Sequence, residues 1–380
     1  MKYHVKEATS DKQLTDFIKL PLRIYKDNAC YVPDMEMDIR DSFDIKKNPD
    51  LATMKIQPFV AYDEQGQAVG RIAGIINPKA NAIWNTSYVR FGMIEFIDDP
   101  EVSELLIHAV ERWGASHGMT KIQGPMGLTD FDKEGMLVED FDQVGSMVTI
   151  YNPPYYPQHM ERMGFEKEAD WIQARFDVPK ELPPRFARSL KVVNQLYDLH
   201  VHQLTRDDIN KHGYGERVFD LLNKAYRPLF GFAELSPATC QKFIRQYLPL
   251  ADLRMIPVVE DAAGNMVAVA ITIGSLTNAL RKSKGRLLPF GWFHLLKSIK
   301  LKHEDKVDML LVAIDPEFQG MGVNTVIFDH LIRTYNELGF KWAETGPMLE
   351  DNMKVLTQWR QLNAVFCKRR RCYGRDIAGA

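Results

Sequence analysis

The sequence predicts an α/β protein made of two similar halves in tandem, and three observations carry that expectation. Strand-like runs such as Phe59–Tyr62 and Val69–Ile76 alternate with amphipathic stretches along the chain. A series of strand, helix, glycine, strand and Gly-Pro-Met occurs twice. Between the two copies lies Val178-Pro-Lys-Glu-Leu-Pro-Pro184, where three prolines in seven residues resist both helix and central strand. The boundary is therefore expected at 183/184, giving halves 1–183 and 184–380.

Composition narrows the function. Of 380 residues, 45% are apolar and 26% charged, enough for each half to bury a core and to exclude a disordered chain or a disulfide scaffold. The net charge of −2 excludes a polyanion-binding surface spread over the whole protein, and no nucleic-acid partner is expected. Cys30, Cys240, Cys367 and Cys372 are scattered without a CxxC pair, as reduced thiols are, and no metal site is expected. The start, MKYHVKEATSDKQL, has no apolar core of a signal peptide, and no stretch reaches 18 apolar residues. Neither secretion nor membrane spanning is expected, and the location read from this is cytoplasmic.

The copies can be followed residue by residue. In the first, Ile97-Asp-Asp-Pro-Glu101 ends a strand, a helix runs to about His117, and Gly118 leads into a strand ending Gly-Pro-Met126. In the second, Ile314-Asp-Pro-Glu317 ends a strand, a helix runs to Leu338, and Gly339 leads into a strand ending Gly-Pro-Met348. β-α-β units share this punctuation, so convergence stays open beside duplication; the matched Ile-Asp and Gly-Pro-Met favour duplication. Pro100 lies 18 residues before Gly118 and Pro316 lies 23 before Gly339. The second copy therefore holds an extra loop, Phe318-Gln-Gly-Met-Gly322, where the first passes from Asp98-Asp99 straight into Pro100 as the first helical residue. After the boundary a helix is expected over 185–197 and a strand from His200 to Leu204.

The extra loop joins a buried strand to a helix whose Val323, Ile327, Leu331 and Leu338 repeat on one face. Glycines at 320 and 322 remove side chains where amides converge on the helix N-terminus. Such a turn cradles an anion, a pyrophosphate among them, or is simply a tight β-α connection.

Val312-x-x-Asp-Pro-x-x-Gln-Gly-Met-Gly-Val resembles the acetyl-CoA-binding core of the GNAT (Gcn5-related N-acyltransferase) superfamily, with its Gln/Arg-x-x-Gly-x-Gly/Ala hallmark. Gln319 and Gly322 match the first and fourth positions, and Asn324 stands at the final small-residue position. The resemblance implies two tandem GNAT-like domains, mixed central sheets flanked by helices, with acetyl-CoA or a longer acyl-CoA bound in the C-terminal one. It implies that the backbone of Val312 and Ile314 pairs with the pantetheine arm like an added strand. Gln319, Gly320, Met321, Gly322, Val323 and Asn324 would hold the pyrophosphate. Asn352, in Glu350-Asp-Asn352, is a pantetheine contact by the same resemblance or a plain helix N-cap. Seven residues on, where many members carry an acidic tyrosine, this chain has Trp359, so the leaving thiolate must take its proton elsewhere. The first half resembles the fold more distantly, through Tyr151-Asn-Pro-Pro-Tyr-Tyr156 and Met163-Gly-Phe165. It lacks the glycine loop and is read as a degenerate half that shapes the acceptor pocket, with one CoA bound per chain.

N-acyl transfer needs a base for the amine proton and donors for the oxyanion. Asp308 and Glu350 are the candidate bases; Asp308 shares a face with Leu310 and Val312, or is a solvated strand-start residue. The histidines, His294 and His330 included, show no metal spacing. The stretch 281–302 carries seven Lys/Arg and no acidic residue, interleaved with Leu287, Leu288, Phe290, Trp292, Phe293, Leu295, Leu296 and Ile299. It suits an anionic membrane surface or lipid head groups, or is a buried helix with a basic edge. Lys368-Arg-Arg-Arg371 and Arg375 form a second basic patch, read as a solvated strand or a contact for the CoA 3′-phosphate or nucleic acid. Tandem GNAT proteins of this length resemble a bacterial set that includes ceramide-synthase-like acyltransferases. Three functions follow: acyl transfer to a small primary amine, long-chain acylation of a lipid amine such as a sphingoid base, or CoA binding without catalysis.

Overall fold

The computed structural model describes residues 2–248, 251–300 and 303–378. The chain opens with β1 (Tyr3–Glu7), α1 (Asp11–Ile24), α2 (Glu36–Ser42), β2 (Lys55–Asp63), β3 (Ala68–Ile76) and α3 (Pro78–Trp84). β4 (Tyr88–Phe96), α4 (Pro100–Ala115), β5 (Lys121–Gly124), β6 (Met136–Leu137), α5 (Tyr155–Arg162) and β7 (Glu166–Asp177) follow. Next come α6 (Pro184–Leu196), β8 (His200–His202), α7 (Arg206–Lys211), α8 (Tyr214–Tyr226), α9 (Pro237–Tyr247), β9 (Val258–Glu260) and β10 (Met266–Gly274). The chain continues through α10 (Thr277–Ser283), α11 (Gly291–Lys300), β11 (Lys306–Ile314) and α12 (Asn324–Leu338). It ends with β12 (Trp342–Thr345), β13 (Met348–Leu349), α13 (Met353–Trp359) and β14 (Val365–Asp376). Local chemistry accounts for the helix ends that the repeat depends on. Asp99 accepts from the Glu101 amide and Pro100 takes the first helical position of α4. Gly339, at φ +81°, closes α12.

The chain forms two compact units. The first comprises Met1–Trp171, Thr277–Leu295 and Lys368–Ala380, and the second Ile172–Leu276 and Leu296–Cys367. This division does not coincide with a single cut at 183/184. The prolines there interrupt the chain, but unit membership follows strand pairing: Arg175–Asp177 of β7 pair with β12, whereas Tyr373–Asp376 of β14 pair with β5. Each unit is a mixed sheet flanked by helices, as the expected fold class requires. In the first the order is β1-β2-β3-β4-β5-β14, parallel between β4 and β5. In the second it is β7-β12-β11-β10-β9-β8, parallel between β11 and β12.

Val89, Phe91, Leu106 and Val110 are buried in the first core, Val307, Met309, Val323, Ile327 and Leu331 in the second. The predicted apolar face of α12 is thus the one that packs. The C-terminal basic strand is not solvated. Arg371 grips Asp170 at 2.8 and 3.0 Å, Arg375 meets Glu111 at 2.8 Å, and Lys368 and Arg370 are buried. Carboxylates of the same unit pair with Arg371 and Arg375, and Lys368 and Arg370 donate to the carbonyls of Val144 and Ile150, so the patch does not read as a polyanion contact.

Candidate functional site

β11 is paired with β10 from Val307↔Gly274 to Ile314↔Ala268. On its other side β12 accompanies it only from Lys306↔Trp342 to Met309↔Thr345. Two features end that pairing. Ile271 faces Leu311 and Thr272 faces Met309, so Leu310 is an extra residue, a bulge that bends and twists the strand. Gly346 then donates to the Met309 carbonyl at 2.6 Å, and a Cβ on it would lie 2.9 Å from the Leu310 carbonyl oxygen. Beyond the bulge Leu310, Leu311, Val312 and Ile314 are half-buried, where Val307 and Met309 are buried.

Tyr226, the last residue of α8, meets this edge. Its hydroxyl accepts from the Val312 N–H at 3.3 Å and donates to the Val312 carbonyl at 3.1 Å. The backbone groups of Val312 therefore point away from β10, and by the two-residue period those of Ile314 do too. The Ile314 carbonyl accepts from Gln319 Nε2 at 3.2 Å. Burial of the phenol pushes Tyr226 up to about 12, against the opposing hydrogen bond to Val312, so it stays protonated near neutral pH. Two residues back, Lys224 bonds Asp315 at 2.8 Å and ties α8 to the end of β11. No sequence pattern marks Tyr226, which lies 86 residues from its partner at the end of an ordinary amphipathic helix.

After β11 a short 3-10 turn, Pro316–Phe318, is capped by Asp315. Gly320 and Gly322 follow at φ +82° and +83°, a region glycine enters without strain. Around Gly320 nothing lies within 4 Å of a built Cβ, whereas at Gly322 it would meet Ser189 Oγ at 2.9 Å and Val193 Cγ2 at 3.0 Å. Among the described residues, the amides of Gly320, Gly322, Val323 and Asn324 meet no acceptor, and no side chain caps α12. The Asn324 side chain turns to Gln358 Oε1 at 3.0 Å, and Val323 anchors the loop in the core while Met321 is exposed. Successive free amides at a positive helix end suit a pyrophosphate, so the residues present fit the group the resemblance implies.

Asp308 is not a solvated strand-start residue. It is 3% exposed, and Lys306 Nζ lies 2.9 Å from its Oδ1 and 2.5 Å from Glu344 Oε2. Burial opposes the Lys306 charge, but the two carboxylates raise its affinity for the proton. Asp308 Oδ2 is buried with no hydrogen-bond partner. Glu350 lies in the turn between β13 and α13. Asn352 is the N-cap of α13, accepting from the Val355 amide at 3.3 Å, which leaves its NH2 group for any ligand. Trp359 is a core residue: it is 2% exposed, its Nε1 lies 2.9 Å from Met348 Sδ, and its ring packs on Phe176 and Phe328.

Around α11 most of the large apolar residues are outside, contrary to a buried helix, while Leu287, Leu295 and Ile299 are half-buried. Leu288 and Phe290 are 77% and 72% exposed, and Trp292, Phe293 and Leu296 are exposed with them. Lys282, Lys284, Lys297 and Lys300 are exposed alongside, while Arg286 pairs with Glu36 at 2.6 Å. Leu301 and Lys302 lie outside the described residues. In the first unit Ser103, His159 and Asp98 form a hydrogen-bonded line at 2.8 and 3.0 Å. Ser103 is fully buried and donates to the Pro100 carbonyl, so it fastens α5 to α4 and offers no nucleophile.

The chain matches no protein-family model. It is 27% identical over 393 residues to Protein YghO of Escherichia coli, covering 98% of this chain and 95% of that protein. It is also 27% identical over 365 residues to a bacterial ceramide synthase of Caulobacter vibrioides, covering 91% and 90%. In structure it is similar to a tandem GNAT protein from the clavulanic acid biosynthesis pathway, with a TM-score of 0.57 at 12% identity, covering 100% of this chain and 99% of that one. With the splayed strand and the glycine loop before α12, these likenesses give this chain the tandem fold of the GNAT superfamily.

Proposed function

We propose that the second unit binds acyl-CoA and transfers its acyl group to a primary amine. The observation that carries this reading is the set of amides without an acceptor at Gly320, Gly322, Val323 and Asn324, at the end of a strand edge that β12 leaves open. The pyrophosphate would lie on those amides, and the pantetheine arm would add along Ile314 and Val312 as a strand does. The Val312 N–H then faces the thioester carbonyl. Asp308, oriented by Lys306, offers its unpartnered Oδ2 to the proton that the attacking nitrogen loses.

The acceptor is read as a lipid amine and the donor as a long-chain acyl-CoA. Two supports converge: the relative named bacterial ceramide synthase, and the exposed apolar and cationic surface around α11. That surface suits the interface of an anionic membrane, aromatic side chains among head groups and lysines above them. Flotation should carry the protein with anionic vesicles at low salt and lose it as salt screens the lysines. Absence of binding at low salt would remove the lipid reading and leave a soluble amine.

The cofactor is tested at Gly320, where space is open and φ suits Asn or Asp better than other side chains. Gly320→Asp places a carboxylate on the cradle, and Gly320→Asn matches its shape without the charge. Calorimetric titration should show CoA binding weakened by about 2 kcal/mol more in the aspartate variant, the worth of roughly one charge-assisted hydrogen bond. Equal affinities in the two variants would refute the cradle. A variant series that binds CoA and turns over no amine would point to a binding protein.

A further inference from the structure

A tetrahedral alkoxide held by one backbone N–H is poorly stabilised, and water-excluded sites that form one aim several donors at the developing charge. Among the described residues, the hydroxyl of Tyr226 stands beside the Val312 N–H, close enough to share its hydrogen bond. We propose that Tyr226 is the second oxyanion donor of the transfer, a catalytic residue supplied by α8. The proposal rests on the acyl-CoA reading and assigns a residue within it.

Geometry carries the assignment. The phenol bridges both backbone groups of Val312, so it lies where a strand-like ligand would reach that residue. Its ring is edge-packed on Phe232 at 6.0 Å, and Lys224 clamps the end of the same helix to Asp315. The hydroxyl is thus a positioned group whose hydrogen can swing from the Val312 carbonyl to an arriving oxygen. Trp359 cannot serve here, because its N–H faces Met348 in the core. The phenol acts as a hydrogen-bond donor that keeps its proton, since a phenol held so firmly protonated is a poor acid toward a thiolate.

The step balances. The amine nitrogen attacks the thioester carbon, and the C=O π pair moves onto oxygen, which accepts from Val312 N–H and Tyr226 O–H. The nitrogen proton passes to Asp308. The pair returns, the C–S bond breaks, and the departing thiolate takes a proton from water, to which Asp308 returns its own.

The test needs no knowledge of the amine. Two stable CoA analogues differ in one group: a ketone with a methylene between sulfur and carbonyl, and the thioether lacking the carbonyl. Wild type should bind the ketone more tightly. Tyr226→Phe keeps the ring and should lose about tenfold in ketone affinity, one hydrogen bond, while binding free CoA and the thioether no more weakly than wild type. A purely structural role would move both analogues together. A 3-fluorotyrosine at 226, a stronger donor of the same shape, should tighten the ketone alone. Ketone affinity unchanged in both variants overturns the role of Tyr226 while the acyl-CoA reading stands. A wild type that binds neither CoA nor the analogues overturns that reading, and this one with it.

Discussion

β4 of the first unit and β11 of the second begin alike and end differently. β4 pairs in parallel with β5 only at Tyr88–Arg90, and β11 with β12 only at Lys306–Met309. Each then bulges, β4 around Met93, at φ +48°, and β11 at Leu310. Past the bulge the first unit closes its edge. Phe96 N–H donates to Tyr156 Oη at 2.9 Å, and Tyr155 donates to the Phe96 carbonyl at 2.6 Å. The second leaves its edge half-buried, touched at Val312 by the Tyr226 hydroxyl. The turns differ in the same sense: Asp99 caps α4 with a carboxylate, whereas α12 starts uncapped behind two glycines. The same strand-and-helix scaffold therefore becomes closed or open through a few side chains of the following helix, tyrosines in α5 and a core-bound Trp359 in α13.

The largest expected effect comes from opening the closed edge. Tyr156 stacks on Phe96 at 4.1 Å and is almost fully buried, so Tyr156→Ala should cost about 3–5 kcal/mol in urea unfolding. CoA stoichiometry should stay at one per chain, because the Asp99 carboxylate still occupies the helix start. A second CoA bound by this variant would break the comparison.

A smaller effect concerns Glu95, buried under the same tyrosines. Burial pushes its carboxyl up to about 7, although Arg71 and the hydroxyls of Tyr25 and Tyr156 pull the other way. The folded state then holds a proton that the unfolded chain, near 4.5, has released. Stability from this group is complete below about pH 4.5 and is lost as pH rises through 7, a swing of about 3 kcal/mol. Glu95→Gln should flatten the slope of unfolding free energy across that window. Parallel slopes in variant and wild type would place the titration elsewhere.

Much of the second unit could be read from residues close in sequence. The glycine loop, the buried face of α12 through Val323, Ile327 and Leu331, and the closing Gly339 are each set by spacing of four residues or fewer. Asn352 could be read both ways, and the structure makes it an N-cap with an amide to spare. The exposed side of α11 was legible as composition but not as exposure, since an amphipathic pattern does not say what lies against it.

What the sequence determined by itself was the repeat, the α/β class and the place of the glycine loop before α12, because glycine φ preference, helix capping and apolar periodicity act within a turn or a strand. Tertiary structure alone decided which chain segments form each unit, that β14 buries its arginines against Asp170 and Glu111, and that Lys306 sits between Asp308 and Glu344. It also brought Tyr226 to Val312. Those outcomes depend on strand register and on pairing between residues far apart in the chain, where no local preference distinguishes one partner from another.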